Sequence, residues 1–161
     1  MRALVPIVLL LAAGCSKPAP PTLVPERVQI TGLTSSHIDL EVTLDATNPN
    51  SIDLVARSLT AHVVIAGKFD VGTAEIPVTT TLPARQTTRI DVPISLKLED
   101  IAPLGKLAIT SATLPYRVDG VVSLGGDLLH IEIPYHLTDA IPRSQIAHAV
   151  LATIPGLEAL H

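Results

Sequence analysis

The sequence predicts an all-β domain, an antiparallel β-sandwich of about seven strands with one short internal helix and a second short helix near the C-terminus. Three observations predict it. Residues 37–47, His-Ile-Asp-Leu-Glu-Val-Thr-Leu-Asp-Ala-Thr, alternate strictly between aliphatic and polar, the period of a half-buried strand and not of a helix. The same alternation recurs along the chain, interrupted by Pro, Gly and Asn at the positions where strands turn. Helical three- and four-residue spacing surfaces at only two places, after Glu99 and after Pro142.

The composition is consistent with that class. The 161 residues are 47% hydrophobic but only 2% aromatic, with Phe69, Tyr116, Tyr135 and no Trp. A core must therefore be built from Val, Ile, Leu and Ala. The length suits one folded domain. The net charge is −4, and the basic residues are scattered singly, which argues against nucleic acid as a partner. The single cysteine, Cys15, excludes an intramolecular disulfide and a cysteine-based zinc site.

The strands follow in order. Val28 and Ile30 mark a first strand over 27–33, and Gly32 with Thr34, Ser35 and Ser36 supplies a turn. Ile38, Leu40, Val42, Leu44 and Ala46 then form the buried side of the clearest strand, which stops at Asn48-Pro49-Asn50 because proline cannot donate to a ladder. Ile52 to Val55 is a short apolar run. Leu59, Ala61, Val63 and Ile65 alternate with Ser58, Thr60, His62 and Val64. Phe69 and Val71 start a strand that Gly72 interrupts as a bulge, and Pro77 and Pro83 restrict the threonine-rich stretch between them to an edge or a connection. Ile90, Val92, Ile94, Leu96 and Leu98 form the second-clearest strand. Ile101, Leu104, Leu107 and Ala108, preceded by Glu99 and Asp100, predict a short helix despite Pro103 and Gly105. Leu114 to Leu124 and Leu129 to Leu137 alternate again as a hairpin, with Gly125-Gly126 as its tight turn. Beyond Asp139, Pro142 suits a first helical turn and residues 145–153 a helix whose Ile146, Ala149, Val150 and Thr153 share a face; it is expected to dock on the sandwich.

The N-terminus carries a different signal. Met1-Arg2 is followed by an apolar segment, Ala3–Ala13, too short to span a bilayer and suited to the core of a secretory signal peptide. It ends in Leu11-Ala12-Ala13-Gly14-Cys15, which resembles a bacterial lipobox, with Ala12 where leucine is usual. The resemblance implies removal of residues 1–14, acylation of Cys15 and, in a Gram-negative cell, an outer-membrane location facing the periplasm. Several acyl chains on one residue anchor firmly, because each buried methylene contributes about 0.8 kcal/mol. The plain alternative is a cleavable signal with a chance cysteine. Residues 15–25, with Pro18, Pro20, Pro21 and Pro25, read as a tether of ~30 Å when extended. The expected organisation is thus signal 1–14, lipidated tether 15–25, sandwich 26–138 and helical tail 139–161.

Alternating strand, Asn48-Pro49-Asn50, Leu54-Val55, Gly67 and Gly72, Leu82-Pro83-Ala84, Val92-Pro93-Ile94 and Tyr116-Arg117-Val118-Asp119-Gly120 occur in that order. Together they resemble the late embryogenesis abundant type 2 family, also called the water stress and hypersensitive response domain, over roughly residues 27–138. The resemblance implies a fibronectin-III-like or immunoglobulin-like sandwich, an association with desiccation and other stress, and no enzymatic activity. It also gives weight to lipid transfer.

Candidate sites are few. Asn48, Pro49 and Asn50 form either a recognition loop or a turn whose asparagines satisfy local backbone groups; turn chemistry favours the second. His130 and His136 lie ~20 Å apart on one strand at ~3.3 Å per residue, too far to share a metal. Asp39, Glu41 and Asp45 form an outward acidic row without the clustered oxygens of a calcium loop. No metal, cofactor or catalytic residue is expected, and no nucleophile-elbow, phosphate-loop or zinc-protease motif occurs. The sequence therefore supports a lipid-anchored, monomeric, non-catalytic envelope protein that binds or protects other envelope components. The alternative is a carrier of a lipid or other hydrophobic ligand held between the two sheets; an unrecognised hydrolase ranks third.

Overall fold

In a computed structural model, which describes residues 18–126 and 129–152, the chain forms strands β1 (Thr22–Leu33), β2 (His37–Thr47), β3 (Leu54–Ile65), β4 (Phe69–Leu82) and β5 (Thr87–Lys97), helix α1 (Ala102–Thr110), strands β6 (Thr113–Gly126) and β7 (Leu129–Pro142), and helix α2 (Arg143–Leu151). The strands make two antiparallel sheets, ordered β1-β2-β5 and β4-β3-β6-β7. This is the expected all-β sandwich.

The alternation that predicts β2 is realised in full. Ile38, Leu40, Val42, Leu44 and Ala46 are buried in the core, facing Ile90, Val92, Ile94 and Leu96 of β5 on the same face. From the other sheet, Leu59, Ala61, Val63, Val118, Val122 and Leu124 meet them in one aliphatic cluster. Aliphatic side chains from the two sheets interdigitate in this way because the central strands offer a β-branched residue, leucine or alanine at every second position, and the rings of Tyr116 and Tyr135 join the same cluster. Val64, expected to point outward, is also buried.

The chain changes sheets at both ends of the sandwich. At one end, here the Asn48 pole, β2 passes to β3 and β4 returns to β5. At the opposite end β5 passes to β6 through α1, and α2 follows β7 and packs on α1. Pro103 sits in the first turn of α1, where a missing amide is tolerated, and Asp100 Oδ1 accepts from the Ala102 amide at 2.8 Å. Gly105 lets α2 come close: a β-carbon there would lie 3.1 Å from Val150 Cγ2. Leu104, Ala108, Ile146 and Ala149 are buried between the helices and the sandwich.

Several boundaries differ from the sequence reading. β1 begins at Thr22, within the stretch read as tether, and Leu23 to Pro25 pair with β2. Pro25 is tolerated because β1 is an edge strand and the register shifts there. β4 is one long strand; of the edge and the connection expected for the threonine-rich stretch the edge holds, so Pro77 fits, and the bulge falls beside Gly72, whose φ of 119° suits glycine. Gly125 and Gly126 do not form the hairpin turn: both are paired, with His130 and Leu129, because the ladder runs two residues further than the side-chain pattern shows. Asp139 to Pro142 belong to β7, paired with β6, and Pro142 precedes α2 instead of lying inside it. The signal segment 1–14, Cys15 and Thr153 lie outside the described residues.

Candidate functional site

The residues singled out at the first turn lie at the Asn48 pole, and the side chain of Asn48 is fully buried. Its Nδ2 donates to the carbonyls of Ile52 at 2.8 Å, Leu82 at 2.9 Å and Pro83 at 3.3 Å. Its Oδ1 accepts from the amide of Asn50 and from Asn50 Nδ2, each at 3.0 Å, and its own amide donates to Gln86 O at 2.9 Å. One amide side chain therefore ties the β2–β3 crossover to the β4–β5 crossover. An amide suits this place because it supplies two donor protons and an acceptor at once, where a hydroxyl has one proton to donate and a carboxylate none. Asp53 Oδ1 adds a second tie, accepting from the Ala84 amide at 2.8 Å.

Asn50 reaches outward to the N-terminal segment. Its Oδ1 accepts from the Ala19 amide at 2.7 Å, and its Nδ2 donates to Ala19 O at 2.9 Å. This pair mimics a short rung of sheet, and Pro21 next to it is buried. Turn chemistry accounts for the local bonds of Asn48 with Asn50 and Ile52, but the partners at Ala19 and Leu82 are 31 and 34 residues away, and no local pattern reports them.

A second polar arrangement, which sequence reasoning missed, lies inside the sandwich. Tyr135 of β7 donates from its hydroxyl to Thr60 O of β3 at 2.8 Å, crossing β6 at Gly120. A β-carbon on Gly120 would stand 1.9 Å from Thr60 O and 2.6 Å from the Tyr135 ring. Tyr116 of β6 donates to Val28 O of β1 at 3.3 Å, linking the two sheets. Burial pushes both phenols well above the usual tyrosine range, and Asp139 near Tyr116 and Asp119 near Tyr135 push the same way. Glycine in the Tyr-Arg-Val-Asp-Gly run was the only available signal.

His37, His62, His130 and His136 are dispersed and individually paired. His62 Nε2 lies 2.9 Å from Asp70 Oδ1, His130 Nε2 lies 3.2 Å from Glu132 Oε1, and His136 Nδ1 contacts Asp119, whose other oxygen holds Arg117 Nε at 3.1 Å. Ser36 Oγ is 2.9 Å from His37 Nδ1 at an exposed turn. Among the described residues these contacts bring no serine, histidine and carboxylate into one chain, and no group of His, Cys, Asp or Glu is arranged to hold a metal ion. The outward acidic row is partly neutralised. Arg89 makes a two-point contact with Asp45 at 3.0 and 3.2 Å, and Arg27 lies 3.6 Å from Glu41.

One apolar hollow of about 500 Å³ is present, at the helical end and not between the sheets. Ala102, Gly105, Ile109, Ala147, Val150 and Leu151 line it, with Ile109 77% and Leu151 50% exposed. Each helix has nine residues, and among the described residues no helix is long and apolar enough to cross a membrane.

A family model described as late embryogenesis abundant protein matches residues 43–139, from the second half of β2 through most of β7. The chain belongs to the late embryogenesis abundant family. Its Asn48 node, its Gly120–Tyr135 crossing and α1 all fall inside the matched span. Solved structures agree on the fold. The solution structure of AT1g01470 from Arabidopsis thaliana superposes with a TM-score of 0.64 at 16% identity, covering 83% of this chain and 88% of that one. The solution structure of a late embryogenesis abundant (LEA) protein, At2g46140.1, superposes with a TM-score of 0.59 at 23% identity, covering 76% and 71%. A crystal structure of a protein from Archaeoglobus fulgidus superposes at 0.50 with 12% identity, covering 78% and 97%. At these identities the likeness is one of fold. No curated protein matches the chain.

Proposed function

We propose that this chain is a lipid-anchored protein of the bacterial cell envelope, whose late embryogenesis abundant domain acts without catalysis, binding or protecting neighbouring envelope components under water stress. The observation that carries the reading is Leu11-Ala12-Ala13-Gly14-Cys15, which places the chain's single cysteine at the end of an apolar leader. Acylated Cys15 attaches the domain to the membrane. In a Gram-negative cell this is the outer membrane, on its periplasmic side.

The test is fractionation of a bacterial host making the full chain. Wild type is expected in membranes after a carbonate wash, and Cys15→Ser in the soluble fraction. A Cys15→Ser chain that stays with the membranes overturns the anchor.

A second reading, carriage of a hydrophobic ligand, is favoured by the hollow between α1 and α2, whose volume and apolar lining suit an acyl chain. Native mass spectrometry of the purified domain tests it. Co-purified lipid that disappears in Ala147→Trp supports carriage, and a bare protein mass in the wild type contradicts it.

A further inference from the structure

The anchoring reading, combined with the geometry of Asn50, fixes which way the domain faces. We infer that the Asn48 pole, formed by Pro49–Asp53 and Pro83–Gln86, rests on the lipid surface, and that α1 and α2 are held away from it. The inference depends on the acylation of Cys15 proposed above.

The first support is reach. Cys15 and Ala19 are four residue steps apart, so their α-carbons are separated by no more than about 14 Å at ~3.3–3.6 Å per residue. Ala19 is fixed to Asn50 by two hydrogen bonds, and β1 continues from Thr22 up the side of β2. The working tether is therefore much shorter than the proline count suggests. A lipid on Cys15 brings the Asn48 pole to the depth of the headgroups. β2 has 11 residues and spans about 36 Å at ~3.3 Å per residue, so the helical end lies far beyond the reach of the tether when the domain stands upright.

The second support is the character of the pole against that of the flanks. Ile52 is 52% exposed at its tip. Arg85, also exposed, is held in a left-handed backbone conformation, φ 58°, by its amide bond to Asn50 O at 3.0 Å. The strain is compensated by closing the crossover, and it holds the backbone of a cationic residue at the membrane end. An exposed aliphatic side chain and a guanidinium on one pole, whose carboxylate, Asp53, accepts from the Ala84 amide, match an anionic phospholipid surface, the first entering the acyl boundary and the second reaching phosphate. The flanks do not match it. One outer face carries Glu26, Asp39, Glu41, Asp45 and Asp91; the other carries Asp70, Glu75, Asp119 and Glu132. Their arginines are engaged with these carboxylates, as Arg27 with Glu41, Arg89 with Asp45 and Arg117 with Asp119. Lying flat would set carboxylates against lipid phosphates, so repulsion selects the upright pose. The hollow between the helices then opens to the aqueous space.

The experiment uses the lipidated full chain in vesicles of phosphatidylethanolamine and phosphatidylglycerol that include a lipid with a nitroxide on its headgroup. Cys15 is blocked by its own acylation, so a single fluorophore goes on Ser51→Cys at the pole or on Lys106→Cys on α1. The expected result is a loss of fluorescence at 51 and none at 106. Lengthening the tether with twelve Gly/Ser residues between Lys17 and Pro18, on the lipid side of the Ala19–Asn50 contact, should shrink the loss at 51 and leave 106 bright while the protein still floats with the vesicles. Equal loss at both positions, or a greater loss at 106, in protein that floats with the vesicles overturns the orientation and leaves the anchor standing. Protein that carries no lipid by intact mass and fails to float overturns the anchor itself, and the orientation with it.

Discussion

Tyr135 crosses Gly120 to reach Thr60: the phenol of β7 passes over the backbone of β6 and donates to a carbonyl of β3 at 2.8 Å. The crossing is possible only because residue 120 has no side chain, since a β-carbon would overlap the Thr60 carbonyl. Three adjacent strands of the four-stranded sheet are thereby locked by one ring in a core that holds few others.

Gly120→Ala is accordingly expected to destabilise the domain by at least ~3 kcal/mol, the upper range for overpacking, because backbone, not a flexible side chain, blocks the added methyl. Tyr135→Phe, which keeps the ring and removes only its hydrogen bond, should cost about 1 kcal/mol. Urea denaturation of the three proteins checks the order. An alanine variant as stable as wild type would contradict the crossing.

The same burial makes an alkaline prediction. Both tyrosine pKa values are raised in the folded chain, mainly by desolvation. The folded state therefore binds the phenolic protons more tightly than the unfolded state. That contribution to stability is fully present below the ordinary tyrosine value of about 10 and is lost as pH rises above it. Since Tyr116 and Tyr135 are the only tyrosines, phenolate absorbance near 295 nm should stay low through pH ~10 and rise together with loss of sheet circular dichroism. A smooth titration centred on pH ~10 in folded protein would show the rings to be solvated.

At the Asn48 pole, Asn48→Asp is the sharper substitution. It preserves shape but turns a carboxylate oxygen toward the carbonyls of Ile52, Leu82 and Pro83. Each buried group left without a partner costs about 1–3 kcal/mol, against a total stability of ~5–15 kcal/mol. The loss should ease as pH falls, because the neutral acid can donate once. Melting temperatures at pH 7 and pH 4.5 check this, and a variant unaffected at both would remove Asn48 from its structural role.

Leu44 tests the sandwich itself. It lies at the centre of β2, fully buried, opposite Ile90. Leu44→Asp buries a carboxylate with no partner, a change of several kcal/mol, and is expected to unfold the domain at room temperature. An unchanged circular dichroism melt would place residue 44 outside the core.

The strands were legible because each reports itself locally: period-two alternation in β2 and β5 identifies the buried face without reference to any other segment. The helix at 102–110 was legible for the same reason. Strand ends were less so. Pairing at Gly125 and Gly126 has no side-chain signature, Pro25 of β1 read as part of a tether although an edge strand accepts it on its free side, and Pro77 left an edge and a connection equally open. Least legible were the long-range polar ties. Asn48 was visible as a turn residue, but its bonds to Leu82 and Pro83 depend on where the second crossover arrives. The hollow between α1 and α2 follows from packing two short helices that give weak amphipathic signals of their own.

The most direct test of the account is the intact mass of the full-length chain extracted from the membranes of a bacterial host. The account predicts a chain beginning at Cys15 and heavier than residues 15–161 alone by the mass of a diacylglyceryl group, with or without a further acyl chain. A membrane-extracted chain that retains Met1, or one that begins elsewhere with Cys15 unmodified, would contradict it.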